Sequence, residues 1–287
     1  QLKDENTDQI MAIFDDALSV PQEDAGIYLV KAMLMARHDF PRDEVNAVYR
    51  QALAVEPDNE MAQGLLVQNL AEEERFDEIV DLCKTSLQYT PDNQQLCYFE
   101  GFSLFQLKRN DEALASLQKT VELRDEESDS GMMSDCYSLM GEIYREKGMD
   151  KACYEAYDSC LHYAPDNVGA LNNYAYYLSL DSAADLQKAE QMSLKAVQKE
   201  PDNATFLDTY AWILFKEKRY DDAKTIAERA IASDSTLSSV VVEHCGDIFY
   251  MAGDTDRAME MWQKAAQEDE GNAILRRKIE LKKYIEE

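Results

Sequence analysis

Apolar residues along this chain recur at steps of three and four, stop at a short turn, and then resume. In CYSLMGEIYREKGMDKACYEAYDSCLHYAPDN, apolar and small residues fall at Tyr137, Met140, Gly141 and Tyr144. They return at Cys153, Tyr157 and Cys160 after a break at Gly148. Steps of three and four are the α-helical period, and a glycine just past a helix is a usual stop. The pattern predicts a helix hairpin. The tripeptide PDN punctuates the chain at Pro57, Pro91, Pro165 and Pro201, with separations of 34, 74 and 36 residues. Proline disfavours helix in the residue before it. Asp or Asn then caps the free amides of the next helix. PDN therefore reads as punctuation between hairpins, with no catalytic part.

The repeating unit resembles the tetratricopeptide repeat, on five sets of residues. These are Gly101, Ala113 and Leu117; Tyr137, Gly141, Tyr144, Tyr157 and Pro165; Leu171, Tyr174, Ala175, Ala189, Ala196 and Pro201; Leu207, Tyr210, Ala211, Ala223 and Ala230; and Gly246, Phe249, Ala258, Trp262 and Ala265. The two earlier units, Gly26 to Asn59 and Glu60 to Asn93, match less fully: the first keeps Tyr49, Ala52 and Pro57, while Met33 in the first and Val67 in the second stand where the helix-packing glycine is expected. The resemblance implies an all-α fold, a right-handed α-solenoid superhelix of helix-turn-helix hairpins. Seven units are expected, at 26–59, 60–93, 94–133, 134–167, 168–203, 204–237 and 238–271. Residues 1–25 read as a half repeat and 272–287 as a single capping helix carrying Leu275, Ile279 and Tyr284. The start without Met and the half repeat are expected marks of a processed or excised chain.

In tetratricopeptide proteins the first helix of each unit lines a concave groove, which places particular residues there. They are Tyr98, Phe99, Phe102 and Phe105; Asn172, Asn173 and Tyr176; Asp208, Trp212 and Phe215; and Glu243, His244, Asp247 and Tyr250. Aromatic rings give contact area at low entropy cost and are enriched at binding hot spots. Asparagine amides can pair with an extended backbone. The same aromatics at helical spacing also suit packing against the next hairpin, and both uses stay open at this point. Some relatives hold a peptide carboxylate with Lys and Asn on these helices. Here Lys31 and Arg145 alone stand at such places, among Glu142, Asp208, Glu243 and Asp247. An uncharged or basic peptide fits better than an acidic one.

Composition narrows the partners further. Lys and Arg number 29 against 57 Asp and Glu, a net charge of −28. Nucleic acid is excluded as a partner, because binding it relies on cations displacing counterions. No apolar run reaches the roughly 18 residues of a membrane helix. Six cysteines form no CxxC pair, and Cys153, Cys160 and Cys245 sit at core positions. Cys83 and Cys97, on adjacent helices, are the candidate disulfide. His38, His162 and His244 sit in no HExxH, although Asp247 shares a helix face with His244. No phosphate-binding glycine loop and no GxSxG occurs. The expectation is no catalytic residue, no cofactor and no metal. The cluster Arg276, Arg277, Lys278, Lys282 and Lys283 is expected on the wet face of the capping helix. The chain reads as a non-catalytic scaffold that binds a peptide or protein in its groove. The alternative is a self-assembly module that meets another copy or missing parts of the same chain. LNNYAYYLS and LDTYAWILFKEKRYDDA resemble tetratricopeptide proteins of Gram-negative bacteria, many exported or lipid-anchored, which favours the cell envelope over the cytoplasm.

Overall fold

The computed structural model describes residues 2–286 apart from 182, 184, 235 and 270; for 2–6 and 8 it describes the backbone alone. Among the described residues there are sixteen helices and no strand. The chain divides into two compact units, Gln1–Ala156 and Tyr157–Glu287. Unit 1 holds α1 (Leu2–Ala17), α2 (Gly26–Arg37), α3 (Arg42–Val55), α4 (Glu60–Glu72), α5 (Phe76–Ser86), α6 (Gln94–Gln106), α7 (Asn110–Glu122) and α8 (Ser130–Glu146). The division falls within α9 (Asp150–Tyr163). Unit 2 continues with α10 (Val168–Leu180), α11 (Leu186–Lys199), α12 (Ala204–Lys216), α13 (Tyr220–Ser233), α14 (Ser239–Met251), α15 (Thr255–Glu268) and α16 (Ala273–Leu281).

Each PDN asparagine starts a helix in the same way. The amides of Ala62, Leu96 and Ala170 donate to the side-chain oxygens of Asn59, Asn93 and Asn167 at 3.0 Å, and Phe206 N donates to Asn203 at 3.3 Å. Asp129 caps α8 and Asn272 caps α16 by the same bond, where the tripeptide is absent. Such caps each contribute about 1 kcal/mol.

The turn inside a hairpin has its own requirement, a residue in the left-handed region. Gly148 (φ 68°) and Gly253 (φ 85°) meet it freely, whereas Glu74, Lys108 and Lys218 adopt φ of 55°, 60° and 62° without that freedom. An arginine follows in those three turns, and Arg75, Arg109 and Arg219 each reach an acid three residues on, Glu78, Glu112 and Asp222.

Within each unit helices pack on neighbours in sequence, and α6 also meets α8, α10 meets α12 and α12 meets α14. In unit 1, Leu66, Leu70, Ile79 and Cys83 belong to one apolar cluster, and Leu104, Leu117 and Ile143 to another. In unit 2, Trp212, Phe215, Cys245, Phe249, Trp262 and Leu275 share a third. The earliest repeat is out of step with its sequence reading. Met33 is 49% exposed, and the buried small residue of α2 is Ala32. Helix α2 starts outside any PDN, after a turn in which the Asp24 carboxylate accepts from Gly26 N at 2.8 Å.

The capping helix is also shorter than expected. It ends at Leu281 because Lys282 turns left-handed (φ 49°), and Lys282 and Lys283 N–H groups fold back on the carbonyls of Ile279 and Lys278.

Gly246 is the position where side-chain volume is least tolerated. A Cβ there would lie 2.4 Å from Trp262 Cδ1, and the indole cannot yield because its Nε1 donates to Asp247 Oδ1 at 2.9 Å. Replacing helical glycine by alanine ordinarily gains about 0.5–1 kcal/mol. Overpacking costs about 1–3 kcal/mol and outweighs that gain. Gly246→Ala is expected to lower stability by about 1–3 kcal/mol in urea unfolding, while Gly64→Ala, where a Cβ meets nothing within 4 Å, is expected to be neutral or stabilising.

Candidate functional site

The groove candidates fall into two sets. Those of unit 1 lie on α6. Phe105 is buried, and Tyr98, Phe99 and Phe102 are half-buried. Tyr98 packs on Phe99 at 5.4 Å and on Phe102 at 6.3 Å, and Phe102 meets Phe76 edge-on at 6.0 Å. These rings serve mainly as core. Phe99 alone reaches a small polar pocket of about 270 Å³, beside Gln63, Asn93 and Gln94.

The set in unit 2 behaves differently. Tyr176, Trp212, Glu243, His244 and Asp247 line one cavity of about 600 Å³. Leu180, Lys216, Val240, Asn272, Lys278 and residues 284–286 complete its wall. Asn172 is buried and donates to Asn173 Oδ1 at 3.2 Å, while Tyr250 stacks on Trp262 at 5.6 Å. Neither asparagine, nor Asp208, Phe215 or Tyr250, is part of the cavity wall.

The cavity rests on a buried ionic network. Lys278 is 1% exposed, and its Nζ donates at 2.7 Å both to Glu243 Oε1 and to Asp247 Oδ2. Asn272 Nδ2 donates to the other Glu243 oxygen at 2.9 Å. Lys278 was expected on the solvent face with its basic neighbours. The structure buries it because two carboxylates one turn apart on α14 wait opposite α16. The signal in the sequence was its place three residues after Leu275, on the buried stripe of the capping helix. Lys278 and Lys216, which lies 5.1 Å over the Trp212 ring, are the cavity cations that the sequence reading left out of the groove.

His244 faces a different acid from the one its own helix suggested. Its Nδ1 lies 3.0 Å from Asp208 Oδ2, on α12, and its ring stacks on Trp212 at 4.0 Å. Trp212 also stacks on Phe215 at 4.8 Å, and its buried Nε1 has no hydrogen-bond partner. Burial works to lower the His244 pKa, but the charge and hydrogen bond of Asp208, with Asp247 and Glu243, leave it raised. Burial pushes Asp247 up to about 6, against the pull of Lys278 and Trp262.

The remaining candidate chemistry has structural partners. Lys31 pairs with Asp15 and Arg145 with Asp150, so both cations named for a carboxylate clamp are engaged in ion pairs. Cys83 and Cys97 are free thiols and not a disulfide; all six cysteines are free and buried. Burial pushes Cys97 and Cys153 up to about 11 and Cys136 to about 12. A thiolate is the reactive form, so these thiols are inert in the fold. Among the described residues no group of His, Cys, Asp and Glu is arranged to hold a metal. No described helix is long and apolar enough to cross a membrane.

The chain is similar to a tetratricopeptide repeat protein from Parabacteroides merdae, with a TM-score of 0.58 and 13% identity over 90% of this chain and 98% of that one. The chain has the tetratricopeptide-repeat fold. It is also similar to YrrB, a tetratricopeptide protein with an unusual peptide-binding site, at TM-score 0.55 and 11% identity over 65% of this chain and 92% of that one. A third likeness is to the Cut9–Hcn1 hetero-tetramer of the APC/C, at TM-score 0.59 and 12% identity over 96% of this chain and 52% of that one. No family model matches the chain, and no curated protein matches it.

Two outcomes follow from the network. Lys278→Met removes the cation and leaves two buried carboxylates facing each other; it is expected to cost about 3–5 kcal/mol in urea unfolding. The pH dependence has a definite sign. His244 titrates higher folded than unfolded, so its contribution is full below its unfolded pKa of about 6.5 and is lost as pH rises through the folded value. Asp247 also binds its proton more tightly when folded, so its ionisation costs stability as pH rises from its ordinary range through about 6. Both act in one direction. The melting temperature of the parent is expected to rise as the buffer goes from about pH 8 to about pH 5.5, and Asp247→Asn is expected to flatten the lower part of that rise.

Proposed function

We propose that this chain is a non-catalytic scaffold that binds an extended segment of a partner protein in the unit 2 cavity. The observation that supports the reading is the shared wall: alternate helices α10, α12 and α14 each contribute side chains to one opening of about 600 Å³. Tyr176, Trp212 and His244 form its floor, with Glu243 and Asp247 beside them. Asp208 bonds to His244 and Phe215 stacks on Trp212, which holds that floor in place. The seven-unit division is the frame of this proposal, with 168–203, 204–237 and 238–271 supplying the three helices. YrrB, whose fold is similar, has a peptide-binding site, and the present reading extends peptide recognition to this chain.

Charge decides what enters. Glu243 and Asp247 already share Lys278, and Asp208 already faces His244. The cavity therefore takes uncharged side chains. Basic residues of the partner meet the acidic exterior of a chain with net charge −28.

A second reading has an observation of its own. Ile13 on α1 and Val30 and Met33 on α2 are large apolar side chains left exposed in unit 1. This favours self-association through that face, and sedimentation of the parent against Val30→Asp, Met33→Asp over a range of concentration distinguishes the two readings.

Trp212 is too deeply buried to truncate without unfolding, at about 3–5 kcal/mol for such a change. Leu180 and Val240 line the cavity yet are exposed, so they can carry charge without harm to the core. Peptides selected against the parent from a displayed random library are expected to lose about tenfold or more in affinity for Leu180→Glu, Val240→Glu, with the melting temperature unchanged. Peptides that bind both proteins equally would place recognition elsewhere.

A further inference from the structure

The wall of the cavity includes a segment that no helix of the hairpins supplies. Lys282 leaves α16 in a left-handed conformation (φ 49°, ψ 43°), which non-glycine residues avoid. Lys108 and Lys218 end α6 and α12 in the same way, but the segment after Lys282 does not enter another hairpin helix. It has contacts of its own. The Tyr284 ring meets Phe215 edge-on at 5.6 Å, and Lys278 Nζ lies 5.5 Å over the same ring. Ile285 and Glu286 line the same cavity as Tyr176 and Leu180 of α10.

We propose that residues 284–286 are a displaceable side of this cavity, a strap that gives way to a partner segment, and that the partner presents an aromatic residue followed by an aliphatic one. The inference rests on the groove reading above and names its ligand chemistry. The place under Tyr284 is built for a ring: an aromatic edge contact on one side and an ammonium held over the face on the other. That ammonium cannot move away, since Glu243 and Asp247 hold it. Tyr284 and Ile285 are half-buried, in contrast to the fully buried Leu275 that anchors α16. The strap is thus seated by partial contacts while the helix before it is held by core packing and an ion pair. Exchange of one aromatic–aliphatic pair for another leaves α16 in place.

The test uses the full chain, parent and Tyr284→Ala, Ile285→Ala, after circular dichroism shows equal helical content. The probe is a fluorescein-labelled peptide LKKYIEE, the chain's own sequence, followed by anisotropy. A strap that closes about nine-tenths of the molecules lowers apparent affinity about tenfold, so the peptide is expected to bind the variant about tenfold tighter than the parent. Acrylamide quenching gives a readout without ligand: Trp212 is expected to become more accessible in the variant, over the constant background of fully buried Trp262. Equal peptide binding by both proteins, or no binding by the variant with unchanged quenching, overturns the strap. A dimer of the parent that the variant lacks also overturns it, by placing the segment in a second copy. If the strap fails while the Leu180→Glu, Val240→Glu pair still abolishes selected binders, the groove reading stands alone.

Discussion

No hairpin in this fold can cover its own apolar surface, and every other feature depends on that shortage. Helix α12 shows it plainly. Phe206, Leu207, Asp208, Thr209, Ala211, Trp212, Ile213, Leu214 and Phe215 are all buried, far more than one partner helix can face. The surplus is covered by α10, α11, α13 and α14 together. Stability in such an array is a sum of unit and neighbour contributions. At the end of unit 2, a nine-residue helix does the work of a whole neighbour. It brings Leu275 for the apolar part and Lys278 for two carboxylates that would otherwise be buried without a cation.

Charge is used in two distinct ways. Along the exposed helices, cations reach acids roughly one unit away, as in Arg42–Glu72, Arg50–Glu78, Arg219–Glu190, Lys224–Asp254 and Arg257–Glu228. Exposed pairs of this kind contribute about 0–1 kcal/mol each. Their effect lies in register: each one ties a helix to a neighbouring hairpin at a fixed offset. The Lys278 pair is different in kind, because both its acids and its ammonium have left water. A buried ion pair is weak evidence for net stability but strongly penalises any arrangement that breaks it. It therefore fixes where α16 sits more than how firmly the unit holds.

Much of this architecture was readable from the sequence because it is locally encoded. The PDN asparagines bond to amides three residues on, and the hairpin turn is set by one residue's φ; neither needs knowledge of the fold. The aromatic and small positions of α10, α12 and α14 were readable for the same reason, through helical periodicity. What escaped the reading depends on residues far apart in the chain. Asp208 and His244 are 36 positions apart, and periodicity pointed to Asp247 because it lies on the same helix. Lys278 was taken for solvent because lysine is polar, although its spacing from Leu275 places it inward. No PDN marks the start of α2, and Met33, at the position expected to pack, is exposed beside the buried Ala32. The aromatic set on α6 shows the limit of a spacing argument: the same pattern that lines a cavity in unit 2 is used mainly for packing in unit 1.

The six cysteines carry one more consequence. Each thiol is buried, and burial holds Cys83, Cys97, Cys136, Cys153 and Cys245 in the protonated form. An oxidant in the surroundings finds no exposed thiol to attack while the chain is folded. Once a hairpin opens, several thiols emerge together on neighbouring stretches of chain, and cross-links formed then are incompatible with refolding. The protein's lifetime in an oxidising medium is accordingly set by how often it opens, a rate, and not by its equilibrium stability. The buried thiols act as a fuse that blows on the first long-lived unfolding event.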